Sequence, residues 1–224
     1  MDFIFYGTNK IKNRISFSKR NFGLEKKEKI ETAMKPLTIA FTLWGIFWAY
    51  WFLSGIYTRS KNKVEINQDS KRFQLMHYCL MVVGLALLGI PFETPILGTQ
   101  WIPSSGWITI TGLLVQLVSM GFAVWARFIL GRNWSSAIQK VEGQQVIKSG
   151  PYRYIRNPIY SGMLLGFIST AFINGSIAGL IGLALILTSF LIKIHKEQAF
   201  LVREFGDEYR EYMRHSWALI PFIY

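Results

Sequence analysis

The sequence predicts an all-α integral membrane protein with about five transmembrane helices, a C-terminal helical hairpin and an amphipathic cytoplasmic tail helix. Three observations carry this. The chain is 51% hydrophobic and only 17% charged, whereas soluble domains hold roughly 25% charged residues. Its apolar residues gather into five runs, four of them long enough for a hydrocarbon core of roughly 30 Å. Its 25 Lys and Arg, against 13 Asp and Glu, lie mostly in short segments beside those runs, the pattern that membrane topology produces. That distribution argues for a lipid bilayer as the partner and against nucleic acid, although the net charge of +12 alone would suit either.

The chain divides into a polar basic N-terminal segment (1–35), three transmembrane helices (36–130) and a region (131–224) holding a loop, a helical hairpin and a tail helix. Residues 1–35 carry nine Lys or Arg and no sustained apolar period, so poor order is expected there. With charge throughout and no cleavage site after a short apolar core, they do not read as a signal peptide. The first apolar run, Leu37 to Tyr57, is dense in aromatics (Trp44, Trp48, Tyr50, Trp51) and is followed by Arg59, Lys61 and Lys63. The second runs from Phe73 to Phe92. The third runs from Trp107 to Leu130, with Arg127 near its end expected to snorkel to the interface. Cys79, within the second run, reads as a small packing residue.

After the polar stretch 131–158, Ile159 to Ile173 is apolar but only about 22 Å long as a helix. It would need a backward extension or a thin region to span. Asn174-Gly175-Ser176 signals a turn, and Ile177 to Ile194 returns. Beyond it Leu201, Phe205, Tyr209 and Tyr212 fall on one helical face, with Lys196, Arg203, Asp207, Arg210 and Arg214 on another. The Gly179 and Gly182 pair suits close helix packing.

Five spans put the termini on opposite sides. The basic segments 58–72 and 131–158 and the tail then share one side, the cytoplasm, and the 92–106 connection without Lys or Arg faces away. The basic N-terminus breaks this rule, which a translation start at Met34 would resolve.

Chemistry concentrates at the mouth of the hairpin, in the stretch GPYRYIRNPIYSG from Gly150 to Gly162. Asn157-Pro158 suits a helix start, with Asn as N-cap and Pro at the first helical position. The free N–H groups there favour an anion, and Arg153 and Arg156 can fork onto a carboxylate or phosphate. The returning arm ends in Lys193-Ile194-His195-Lys196-Glu197-Gln198, so Glu197 can meet Arg156 across the hairpin. Each piece also has an ordinary reading: basic anchors, an aromatic belt of Tyr152, Tyr154 and Tyr160, and a local Glu197 pair with Lys193 or Arg203. Arg132, Asn133 and Trp134 could wall the cleft or cap the third span. His77, His195 and His215 lack metal-ligand spacing, and His77 reads as a hydrogen-bonded residue inside its span. No metal is expected.

The order of these pieces resembles the isoprenylcysteine carboxyl methyltransferase family, which is related to the membrane phospholipid methyltransferases. The family pattern is Gly-Pro-Tyr, then Arg-His-Pro-x-Tyr-x-Gly, an apolar hairpin, Glu-Glu-x-x-Leu and Phe-Gly-x-x-Tyr. This chain reads Gly150-Pro151-Tyr152, Arg156-Asn157-Pro158-Ile159-Tyr160-Ser161-Gly162, Glu197-Gln198-Ala199-Phe200-Leu201 and Phe205-Gly206-Asp207-Glu208-Tyr209. The upstream Gly131-Arg132-Asn133-Trp134-Ser135 looks like bacterial members, which implies an inner-membrane location. The resemblance implies S-adenosylmethionine as cofactor, bound at the cytoplasmic face by Tyr152, Arg156, Asn157, Pro158, Tyr160, Glu197 and Gln198, with Arg156 and Glu197 carrying catalysis. The acceptor would be lipophilic or a small molecule, such as an isoprenylcysteine-like carboxylate; a phospholipid amine and a thiol are alternatives. Asn157 stands where the family has His, and Gln198 where it has a second Glu. These departures favour the rival reading of a non-catalytic scaffold or sensor. A small transporter is a further rival, weakened by the lack of paired broken helices in two repeat halves.

Overall fold

The computed structural model describes residues 35–56, 68–90, 94–134 and 145–223. The expectations for residues 1–34, including the start at Met34, and for the basic segment 58–67 lie outside the described residues. Among the described residues six helices follow one another: α1 (Lys35–Ile56), α2 (Gln68–Gly89), α3 (Gly106–Leu130), α4 (Pro158–Asn174), α5 (Ile177–Phe205) and α6 (Asp207–Arg214). Short 3-10 turns at Gly131–Asn133 and Gly150–Arg153 flank the loop between α3 and α4. Among the described residues there is no strand, only two isolated bridges. Helices α1, α2, α3 and α5 are long and apolar enough to cross a membrane, and α4 is a shorter apolar helix of 17 residues. The protein is an integral, multi-pass, all-helical membrane protein.

Each boundary has a local cause. Ser105 caps α3, its hydroxyl accepting from the Ile108 N–H at 3.2 Å. Pro158 opens α4 at its first position, and Gly175, at φ +66°, closes it. Ser176 then caps α5 by accepting from the Gly179 N–H at 3.1 Å. The expected hairpin is therefore real, and its turn is covered: the N–H groups of Ile177 and Ala178 donate to the carbonyls of Thr99 and Leu97, and that of Trp101 to Gly175. α4 gains no helical extension at its start; a bend and the turn at Gly150–Arg153 precede it.

The arms of the hairpin pack less on each other than on other helices. α4 lies along α3, and α5 lies along α2. Both pairs are drawn together by missing side chains. A Cβ on Gly182 would stand 2.5 Å from the Gly84 carbonyl oxygen, and one on Gly162 2.8 Å from that of Ser119. α1 crosses α4, where Trp44 stacks on Phe167 at 4.1 Å and donates from its indole to Thr170 Oγ1 at 3.1 Å.

Three expectations change. Arg127 does not snorkel: it is 4% exposed, lies 4.2 Å over the Trp134 ring and donates to the Gly131 carbonyl at 3.1 Å. An arginine can bury where carbonyls and an aromatic face replace its water. Cys79 is exposed on the outside of α2 rather than packed. The tail is not one continuous helix. α5 runs on to Phe205, and Gly206 at φ +55° breaks it before α6. The expected faces survive the break, with Tyr209 and Tyr212 buried and Asp207, Arg210 and Arg214 exposed.

Candidate active site

The helices alternate in direction, so the end of α3, the start of α4, the far end of α5 and α6 all meet at one face of the bundle. The turn Gly150–Arg153 begins with Gly150 at φ +57° and drives Tyr152 inward to 5% exposure. Next the chain runs beside its own C-terminal segment. The Arg156 N–H donates to the Trp217 carbonyl at 2.8 Å, and the Trp217 N–H to that of Tyr154 at 2.9 Å. Three side chains extend this strap. Arg156 donates to the carbonyl of Met213 at 2.9 Å and to that of Ser216. Asn157 Nδ2 donates to Ala218 at 2.7 Å, and Ser161 Oγ to Leu219 at 2.5 Å.

Asn157 thus occupies the N-cap position without capping through its side chain. Its amide holds the strap instead. Arg153 is exposed, with its guanidinium 5.6 Å from the Tyr154 ring, and does not converge with Arg156. Trp134 packs edge-on against Trp51 of α1, and Asn133 Oδ1 accepts from the Gln145 N–H at 2.9 Å. The Gly131–Trp134 segment therefore closes α3 against α1.

One turn into α4, Tyr160 faces α5. Its hydroxyl donates to Glu197 Oε1 at 3.0 Å, and its ring packs on Phe190 at 5.1 Å. Lys193 Nζ lies 3.9 Å from the same carboxylate oxygen and 5.8 Å from the Tyr160 ring centroid. The ordinary Lys193 pair is present, then, but alongside the contact from α4. Tyr152 and Tyr209 both lie within electrostatic reach of Glu197. Burial raises the hydroxyl pKa of Tyr152 and of Tyr209, with Tyr212 beside each adding to the rise. Burial pushes Tyr212 up to about 12 against the opposing pull of Arg156. All three are neutral donors at ordinary pH. Tyr212 spends its proton on the Tyr152 carbonyl at 2.6 Å.

Tyr152 Oη, in this cluster, is buried without a hydrogen-bond partner, and so is Gln198 Nε2, on the residue after Glu197. Leaving them so costs roughly 1–3 kcal/mol each, which a polar ligand recovers. The donor set suits S-adenosylmethionine: Glu197 answers a cationic ligand, and the two free donors answer its carboxylate or hydroxyl groups. The described hollows lie elsewhere. One is bounded by Leu37, Phe41 and Gly89, the other by Gly112, Val115 and Phe172. Both are apolar grooves in the half of the bundle away from this cluster and carry no chemistry. Among the described residues no cluster of His, Cys, Asp or Glu could hold a metal.

Of the residues expected from sequence, Tyr152, Tyr160 and Glu197 converge, Gln198 follows Glu197 on α5, and Arg156, Asn157 and Pro158 build the start of α4 and its strap. Sequence reasoning did not assign a site role to Lys193, Tyr209 or Tyr212. The i,i+4 spacing of Lys193 and Glu197 and the i,i+3 tyrosines of α6 were their signal.

Known proteins resemble the chain in sequence and in fold. The family model for phospholipid methyltransferase matches residues 107–208. Human protein-S-isoprenylcysteine O-methyltransferase is 28% identical over 120 residues, covering 52% of this chain and 42% of the human protein. The same-named protein of Dictyostelium discoideum is 29% identical over 116 residues, covering 50% of this chain and 46% of its own. The probable enzyme of Oryza sativa subsp. japonica is 30% identical over 119 residues, covering 52% and 62%. The chain matches about half the length of these curated relatives. A solved structure of the eukaryotic intramembrane Ras methyltransferase ICMT shares the fold, with a TM-score of 0.53 at 22% identity over 84% of this chain and 68% of that one.

Proposed function

We propose that the chain is a relative of the isoprenylcysteine carboxyl methyltransferase family and a membrane-embedded methyltransferase using S-adenosylmethionine. The observation that carries the reading is the convergence of Tyr160, Glu197 and Lys193 with the unpartnered donor Tyr152 Oη. When bound, the cofactor supplies a methyl group on a positively charged sulfur.

Transfer from such a centre is an in-line displacement, so alignment matters more than a nucleophilic side chain. Glu197 balances the cationic cofactor, and Tyr160 holds the carboxylate in one rotamer. Tyr152 and Gln198 donate to the cofactor's polar groups. Gln198 serves as a donor where a second carboxylate could only accept. Lys193, one turn before Glu197 on α5, would hold an anionic acceptor group. An acceptor carboxylate is already ionised at neutral pH, and no general base is required. The acceptor class is an amphiphile with an anionic head, such as an isoprenylcysteine-like carboxylate, entering from the bilayer.

Arg156 acts through the strap that shapes the cofactor side of the site. The loss of the family's His at position 157 does not favour an inactive scaffold, because Asn157 has structural work of its own on Ala218. The face holding the site carries Lys148, Arg153, Lys196, Arg203, Arg210 and Arg214, and the opposite connection 94–106 has no Lys or Arg. That asymmetry orients the site to the cytoplasm.

The test is calorimetric titration of the detergent-purified protein with S-adenosylmethionine and its demethylated product. Saturable binding that is lost in Glu197→Ala is expected. A folded protein that binds neither compound would overturn the reading.

A further inference from the structure

His77 lies outside every motif that the function uses. It sits on α2, within the membrane span, and is 8% exposed. Polar groups at such depth are costly unless bonded. Ser189 of α5 supplies the bond: its Oγ lies 2.6 Å from His77 Nδ1 and donates to the His77 carbonyl at 3.4 Å. The helices do not need this for adhesion, since the Gly84–Gly182 contact already brings their backbones together. That contact lies one to two turns from Ser189 and sets the closeness of the two helices rather than the direction of a polar group. A hydrogen bond between two side chains is directional and adds a constraint on the rotation of α5 toward its cytoplasm-side end.

Rotation of α5 matters because Ser189, Lys193 and Glu197 stand at i, i+4 and i+8, on one face of one helix. Turning α5 far enough to break the bond from Ser189 also swings Glu197 away from Tyr160. A second route runs through rings. His77 stacks on Phe190 at 6.5 Å, Phe190 meets Tyr160 at 5.1 Å, and Tyr160 holds Glu197. We propose that His77 is a positioning residue: with Ser189 it sets the rotation of α5 and thereby places the Glu197 carboxylate two turns further on. This rests on the reading of Glu197 as the cofactor's carboxylate.

The experiment compares wild type, His77→Phe, His77→Asn and Ser189→Ala, each as the full chain in detergent, by two readouts. Phe keeps the ring and loses the bond. Asn places an amide where Nδ1 stood and can serve either direction of it. The first readout is labelling of Glu197 by a hydrophobic carbodiimide, followed by mass spectrometry. The labelling rate should change about fivefold or more in His77→Phe and in Ser189→Ala, and stay near wild type in His77→Asn. The second is S-adenosylmethionine affinity, expected to fall about tenfold in the same two variants and to be rescued by Asn. Combining His77→Phe with Ser189→Ala should add little to either change. Ser189→Ala removes one oxygen, so it reports even if the Phe variant folds poorly. Unchanged Glu197 labelling in folded Ser189→Ala overturns the positioning role. So does a His77→Asn variant that behaves like His77→Phe. If the labelling responds as expected while wild type binds no cofactor, the positioning stands and the methyltransferase reading falls.

Discussion

The Tyr160 hydroxyl and the Glu197 carboxylate, 37 positions apart, meet at 3.0 Å across the two arms of the hairpin. Most packing runs elsewhere, α4 along α3 and α5 along α2. The bundle is therefore two tightly packed pairs with a seam between them, and the site lies at the polar end of that seam. This is a sound place for a ligand, since small helix motions there do not break either close-packed pair.

Removing the Tyr160 hydroxyl isolates this contact. Tyr160→Phe keeps the ring on Phe190 and frees Glu197 from its donor. A hydrogen bond to a charged group is worth roughly 1.5–3 kcal/mol. Cofactor affinity should fall about tenfold, and stability should fall by no more than the roughly 1.5–3 kcal/mol of the bond itself. Wild-type affinity in Tyr160→Phe would mean that the bond does not prepare the carboxylate for a ligand.

Arg156 and Asn157 should behave differently. Both spend their donors on the strap carbonyls of Met213, Ser216 and Ala218. Arg156→Ala and Asn157→Ala should each lower stability by about 1–3 kcal/mol, with the strap gaining protease sensitivity before the bundle melts. Limited proteolysis with mass spectrometry would show cleavage near residues 214–219. A strap that stays protected in both variants would contradict the assigned role.

How much of this was legible in the sequence depends on the kind of signal. The spans were legible because apolar runs, Pro158, Gly175 and Ser176 act locally, through hydrophobicity and backbone geometry. Tyr152, Tyr160 and Glu197 stood out in the sequence because their order resembles a known pattern, whereas Tyr209 and Tyr212 read only as one face of an amphipathic tail. The partners of Arg156 and Asn157 were not legible, since backbone carbonyls carry no side-chain signature and the strap lies some 60 residues downstream. The burial of Arg127 was hidden for the same reason: it depends on carbonyls and on Trp134 folding back over it. The break at Gly206 was available in the residue itself, but amphipathic periodicity runs through it unchanged.

The buried tyrosines give the protein an alkaline limit. Tyr212 ionises in the unfolded chain near 10 and in the folded protein near 12. Between those values the folded state holds the proton and the unfolded state has lost it, so stability falls as pH rises through that window. Tyr152 and Tyr209, also raised, act in the same direction. Thermal unfolding followed from pH 9 to about 12 should show this decline, and Tyr212→Phe should make its slope shallower while lowering stability at neutral pH through loss of the bond to Tyr152. An identical slope in Tyr212→Phe would exclude Tyr212 as a source of the decline.

The glycine contact between α2 and α5 gives the sharpest prediction on stability. A Cβ at position 182 would stand 2.5 Å from the Gly84 carbonyl oxygen and 3.0 Å from the Leu88 nitrogen. Both neighbours are backbone, so relief requires the helices to part along the pair that carries Ser189 and His77. Overpacking of this kind costs about 1–3 kcal/mol, and Gly182→Ala should destabilise by that amount even though alanine is the better helix former. Gly121 on α3 supplies the control, because a Cβ there meets nothing within 4 Å. Gly121→Ala should be neutral or stabilising by up to about 1 kcal/mol. Thermal unfolding of the two variants in one detergent separates the cases, and a stabilised Gly182→Ala would show that α2 and α5 are not held at backbone contact.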